Sequence, residues 1–170
     1  MSIRNLALIA ALLWTTTALG QSESAHADIV NVLGQQIGTA QIRPSGSGIR
    51  IDVKVSQLTP GMHGIHVHNV GKCEGPAFAS AGPHFNPAAK QHGKDNPGGP
   101  HAGDLLMVKV GADGKGKTSL RDPNATLGGG PNSIFHDGGT SLVIHADPDD
   151  YKTDPAGNSG ARIACGVIEK

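Results

Sequence analysis

The stretch Gly61-Met-His-Gly-Ile-His-Val-His68 puts three histidines within six positions. His66 and His68 are separated by Val67 alone, so on a strand both imidazoles project from one face. Imidazole is a metal ligand or a proton carrier near neutral pH. Two on one face can grip an ion, but further ligands must come from elsewhere in the chain. His84, His92, His101 and Asp104 follow in one Gly- and Pro-rich stretch. Three imidazoles and a carboxylate make a closed four-coordinate shell suited to zinc. A closed shell leaves no position for water, which points to a structural ion instead of a hydrolytic one. His145 ends the apolar run from Ser141 and could approach His66 and His68 from a neighbouring strand. These seven donors are one short of two four-ligand sites, unless one imidazole serves both ions. A ring between two cations must lose its second proton, which their charges favour.

Strands must hold these groups. Period-two alternation marks Ile29–Val32, Ile37–Ile42 and, most cleanly, Ile49–Val55. Residues 63–68 read as one strand, and Gly103–Val110 and Lys115–Leu120 flank a turn at Ala112-Asp-Gly114. Ser141–His145 and Arg162–Ile168 complete about eight strands, with no amphipathic helix and no repeat. The pattern predicts an all-β, eight-stranded antiparallel barrel or sandwich. Two segments, Gly71–Ala102 and Ala146–Ala161, are longer than idle connections and rich in Gly, Pro, Asn and Asp. Because the first carries histidines, these are expected to be functional loops. His63 falls on the face opposite His66 and His68 and is expected to be structural and hydrogen-bonded. His136, before the Asp137-Gly-Gly139 turn, reads as surface, and His26 as part of, or adjacent to, a leader.

That leader is residues 1–27. Arg4 gives a positive start, Leu6–Leu13 is an apolar run too short to span a bilayer, and small residues follow. Ala18-Leu-Gly20 and Ala25-His-Ala27 mark two cleavage positions, after Gly20 or after Ala27. The remainder, 28–170, is one domain. An exported chain resides in an oxidising compartment, the periplasm or the extracellular and cell-wall space, and meets the membrane only during export. Cys73 and Cys165, the only two cysteines, are then expected to pair. Closing a loop of about 90 residues restricts the unfolded chain by roughly 4 kcal/mol in the chain-entropy model. Lysine plus arginine equals aspartate plus glutamate, 14 each, so no basic face is implied and nucleic acid is not an expected ligand.

Several motifs in order carry a family resemblance: Gly64-Ile-His-Val-His68, Gly82-Pro-His-Phe-Asn-Pro87, His92-Gly93, His101-Ala-Gly-Asp104, Leu142-Val-Ile-His145 and Gly157-Asn-Ser-Gly-Ala-Arg-Ile-Ala-Cys-Gly166. Over residues 28–168 the chain resembles the copper,zinc superoxide dismutases. The resemblance implies a Greek-key barrel with copper on His66, His68, His84 and His145. It implies zinc on His84, His92, His101 and Asp104, with His84 as the bridge. Cys73 and Cys165 match the disulfide that ties the metal loop to the last strand. Arg162 matches the arginine that guides the anion beside the copper. Asp149, next to Asp150, falls where the family links a copper histidine to a zinc histidine, here His66 and His92. The first-loop arrangement looks like the bacterial branch. With charged Glu169 and Lys170 after Gly166, the expectation is a homodimer of non-eukaryotic type or a monomer.

The activity so implied is dismutation of superoxide to dioxygen and hydrogen peroxide, with copper as the redox metal and zinc holding the bridge. A non-catalytic copper-binding or copper-delivery domain on the same scaffold is the alternative. A zinc-only adhesion sandwich is a further rival, but it has no use for His66, His68 or His145.

Overall fold

The computed structural model describes residues 24–170. Nine strands run in chain order: β1 (Ala25–Asn31), β2 (Gln36–Ser45), β3 (Gly48–Val55), β4 (Gly61–His63), β5 (Ile65–His68), β6 (Val108–Val110), β7 (Gly116–Asp122), β8 (Ser141–His145) and β9 (Arg162–Val167). Every pairing is antiparallel, in the order β4-β6-β7-β3-β2-β1-β9-β8-β5. The two outermost strands, β4 and β5, are consecutive through Gly64, so the sheet curls into a nearly closed barrel. The all-β barrel expectation holds.

The ninth strand arises because the expected strand 63–68 divides at Gly64. On one side β4 pairs with β6, and on the other β5 pairs with β8. At the division the Gly64 N–H donates to the Asp147 carbonyl, and the Gly64 carbonyl accepts from His145 N–H. A Cβ there would sit 2.8 Å from Ser159 Cβ, so the corner requires glycine. The expected strand Gly103–Val110 shortens to Val108–Val110. Its first half is diverted to the metal-bearing loop, with the Gly103 carbonyl accepting from Val67 N–H at 2.9 Å. Gly103 must be glycine for this approach, since a Cβ would meet the Val67 carbonyl oxygen at 2.2 Å.

Alternation supplies the barrel interior: Ile29, Ile42, Ile49, Ile51, Val53, Ile65, Val67, Leu142 and Ile144 are wholly buried. In β5 and β8 the other face is buried as well. The two long connections, 69–107 and 146–161, cover that outer face, so His66, His68 and His145 lie beneath loops instead of facing water. A second, smaller apolar cluster of Phe78, Ala81, Val143 and Cys165 packs under the first connection. The Cys73–Cys165 disulfide, with Cα atoms 5.6 Å apart, ties that connection to β9. No helix among the described residues is long and apolar enough to cross a membrane.

Two peripheral histidines find partners in the structure. His136 is half-buried and stacks on Phe85, its centroid 5.4 Å away at an interplanar angle of 5°. His26 belongs to β1, where it pairs with Gln41 and exchanges backbone hydrogen bonds with Glu169. Of residues 1–27, expected to form the leader, 1–23 lie outside the described residues, and Ala25 and Ala27 are buried strand residues.

Candidate metal centre

β5 delivers His66 and His68 to the same outer face. Register with β8 sets His66 opposite Val143 and Ile65 opposite Ile144, so His145 emerges beside His66. Their ring centroids are 4.9 Å apart. Between β8 and β9 the register slips, with Ile144 opposite Ala164 but His145 opposite Arg162. This bulge re-aims the strand end and brings Arg162 alongside His145. The loop adds His84, whose ring lies 4.1 Å from that of His66 and 4.9 Å from that of His68.

In each of these rings one nitrogen is already committed. His66 Nε2–H donates to Asp149 Oδ2 at 2.6 Å, His68 Nδ1–H to the Gly82 carbonyl at 2.9 Å, and His145 Nδ1–H to the Gly160 carbonyl at 3.2 Å. The opposite nitrogens, His66 Nδ1, His68 Nε2 and His145 Nε2, are buried with no hydrogen-bond partner, as is His84 Nε2. Four buried, unpartnered lone pairs converging on one point are costly unless something accepts them. Burial also keeps these rings neutral: desolvation lowers His66 to about 3, His68 to about 2 and His145 to about 4. Neutral imidazole is the form that ligates a metal.

A second cluster adjoins the first. Asp104 Oδ1 lies 3.0 Å from His84 Nδ1, 3.0 Å from His92 Nδ1 and 3.2 Å from His101 Nδ1. His84 therefore presents Nδ1 to this group and Nε2 to the other. The second Asp104 oxygen accepts from Gly93 N–H at 2.7 Å and His101 N–H at 3.0 Å. Burial raises the Asp104 pKa, but hydrogen bonds from His101, His84 and His92 outweigh it and hold the carboxyl ionised. Burial likewise opposes protonation of His92, yet Asp104 and Asp149 on its two nitrogens raise it to about 9. The donor atoms of each cluster all lie within 4.8 Å of one another. An imidazole-rich set of four suits copper, and three imidazoles with a carboxylate suit zinc.

Asp149 spans the two clusters. Its Oδ2 accepts from His66, and its Oδ1 accepts from His92 Nε2–H at 3.0 Å and from Tyr151 N–H at 2.7 Å. Asp150 is exposed and instead caps its own loop, accepting from Lys152, Thr153 and Asn158. Arg162 donates to the Phe78 and Gly82 carbonyls, each at 2.7 Å, which aims the guanidinium along a cleft it lines with His68, His84 and His145. His63 plays no part in either cluster. Its Nδ1 and Nε2 meet the carbonyls of His145 and Thr59, each at 2.8 Å, the structural role its spacing predicts.

Sequence reasoning missed the carbonyls of Gly82 and Gly160, which choose the ring tautomers, and Asp154, which accepts from His92 N–H at 2.6 Å. It also missed Met107 and Tyr151, which pack around Asp149. Backbone acceptors carry no side-chain signal, so only the closed loops reveal them.

Comparison with known proteins agrees with this geometry. Residues 36–168 match the family model described as copper/zinc superoxide dismutase. A copper–zinc superoxide dismutase of Aquifex aeolicus is 47% identical over 154 residues, covering 89% of this chain and 91% of that protein. The crystal structure of a superoxide dismutase-like protein from Bacillus subtilis superposes with a TM-score of 0.81 at 42% identity, covering 84% of this chain and 96% of the other. The copper/zinc superoxide dismutase of Brucella abortus gives a TM-score of 0.70 at 31% identity, covering 86% and 100%. The barrel, the two adjoining donor clusters and the match across 36–168 place this chain in the copper/zinc superoxide dismutase family.

Proposed function

We propose that the protein dismutates superoxide, with copper held by His66 Nδ1, His68 Nε2, His84 Nε2 and His145 Nε2. Zinc would be held by His84, His92, His101 and Asp104. The observation that carries this reading is the set of four buried imidazole nitrogens without partners, each on a ring whose other nitrogen is engaged. Bound copper supplies one-electron redox cycling, and bound zinc a fixed positive charge.

The chain's own residues supply the rest. Arg162, fixed by two carbonyls, offers a positive site for a small anion in the cleft. His84 lines that cleft, and its Nε2, when not bonded to copper, would hold a proton for delivery to the second anion. Asp149 fixes the tautomers of His66 and His92, so their orientation does not depend on solvent. Over one cycle two superoxide anions and two protons give one dioxygen and one hydrogen peroxide. An activity assay paired with metal analysis tests the reading. One copper and one zinc per chain with dismutation supports it; copper bound without dismutation would favour the copper-delivery alternative. Arg162 argues against that alternative, since metal storage needs no anion guide.

The same reading includes export to the periplasm or the extracellular space, in keeping with the disulfide. Leader removal is assigned after Gly20 instead of after Ala27. Cutting at Ala27 would strip Ala25, His26 and Ala27 from their pairing with β2 and expose the core beneath two buried alanines. Intact mass of the exported protein distinguishes the two: a chain starting at Gln21 is expected, and one starting at Asp28 would overturn the assignment.

A further inference from the structure

Asp149 is 4% exposed, and both its oxygens are engaged by His66, His92 and Tyr151. Its backbone N–H is therefore buried with the carboxylate and also needs an acceptor. That acceptor is a thioether: Asp149 N–H donates to Met107 Sδ at 3.3 Å. Sulfur is a weak acceptor, an unusual choice at a position that links two metal clusters.

The methionine is itself held. Its N–H donates to Tyr151 Oη at 3.1 Å, and Tyr151 N–H donates to Asp149 Oδ1 at 2.7 Å. Three hydrogen bonds thus join Met107, Tyr151 and Asp149 in a ring. Tyr151 adopts a left-handed backbone, φ 60°, and its carbonyl accepts from Asp95 N–H at 3.0 Å in the metal-bearing loop. The ring therefore fastens the connection 146–161 to both the zinc-side loop and the residue before β6.

We propose that Met107 is a positioning residue whose sulfur, by accepting the Asp149 N–H, sets where that carboxylate holds His66 and His92. The proposal rests on the metal assignment above. Its rival is that Met107 only fills space, and the two rank substitutions in opposite order. Met107→Leu keeps volume and removes the acceptor; Met107→Gln keeps an acceptor and gives up the apolar thioether.

The experiment is zinc transfer to excess EDTA from the zinc-loaded, copper-free protein, read alongside hydrogen exchange of the His66 and His92 Nε2–H protons by NMR. Loss of an outer partner of a ligand weakens metal binding about 10–100-fold, and Met107 acts one bond further out. Met107→Leu is expected to release zinc about 10-fold faster and to exchange both Nε2–H protons faster, with Met107→Gln restoring both towards wild type. Wild-type behaviour in Met107→Leu with faster release in Met107→Gln would overturn the proposal in favour of packing. Should the variants fail to fold, the wild-type Asp149 amide decides: protection comparable to β8 amides supports the clamp, and exchange as fast as an open loop overturns it. Zinc held as tightly by Asp104→Ala as by wild type would show that the metal assignment itself is wrong, and the proposal would fall with it.

Discussion

On the side assigned to copper, His66 and His68 come from β5 and His145 from β8, strands locked by register into the barrel. On the side assigned to zinc, His84, His92, His101 and Asp104 all come from the single connection between β5 and β6. The first group contains no carboxylate, and its rings stay neutral because they are desolvated. The second is organised around an ionised carboxylate that gathers three imidazoles and two backbone N–H groups. Strand register places three donors of the first group, whereas the second gathers around a carboxylate in one loop. His84 belongs to both.

The difference can be broken from either side. His145→Ala removes a strand-borne donor while leaving the carboxylate cluster intact. Dismutation is expected to fall by more than about a hundredfold, beyond the cost of losing an outer partner, with one zinc per chain still found by elemental analysis. Retained activity would show that the strand group is not the redox site.

Asp104→Ala attacks the loop side. It removes the acceptor of His92 Nδ1–H and of the N–H groups of Gly93 and His101, leaving Asp149 as the remaining partner of the His92 imidazolium. The expected cost is about 3–5 kcal/mol, read as a lower denaturant midpoint in the metal-free protein. Amides of 91–104 should exchange faster while those of β5 and β8 hold their protection.

Arg162→Ala touches neither cluster directly. Both metals should remain, with the rate falling about 10-fold and its dependence on ionic strength flattening. An unchanged salt profile would remove the guiding role.

The smallest effect is a count of protons. In the metal-free protein His92 stays protonated up to about pH 9, whereas His66, His68 and His145 are neutral above about pH 4. Zinc binding at pH 7 is therefore expected to release about one proton from His92, and copper added alone to release none from those three. Calorimetry in buffers of different ionisation enthalpy measures this. The linked stability has a definite sign. A raised His92 pKa stabilises the metal-free fold fully below its ordinary value of 6.5, and that contribution is lost as pH rises through about 9.

Legibility in the sequence followed the same divide. The shared face of His66 and His68 was readable because strand periodicity is a local property. The closed set of His84, His92, His101 and Asp104 was readable because its members fall in one loop. The break at Gly64 was not, since it depends on β4 and β5 finding partners at opposite ends of the sheet order. Nor was the short β6, because pairing of Gly103 with Val67 overrides the alternation in that segment.

By itself, the sequence determined the residue types, their order, the all-β pattern and the number of donors, because each is written in local spacing. Tertiary structure alone decided the outer hydrogen bonds: the Gly82 and Gly160 carbonyls that fix the rings of His68 and His145, and the Met107 sulfur behind Asp149. It decided that a bulge sets Arg162 beside His145, and which nitrogen of His84 faces each group. These are outcomes of register and loop closure between residues distant in the chain, which no local spacing encodes.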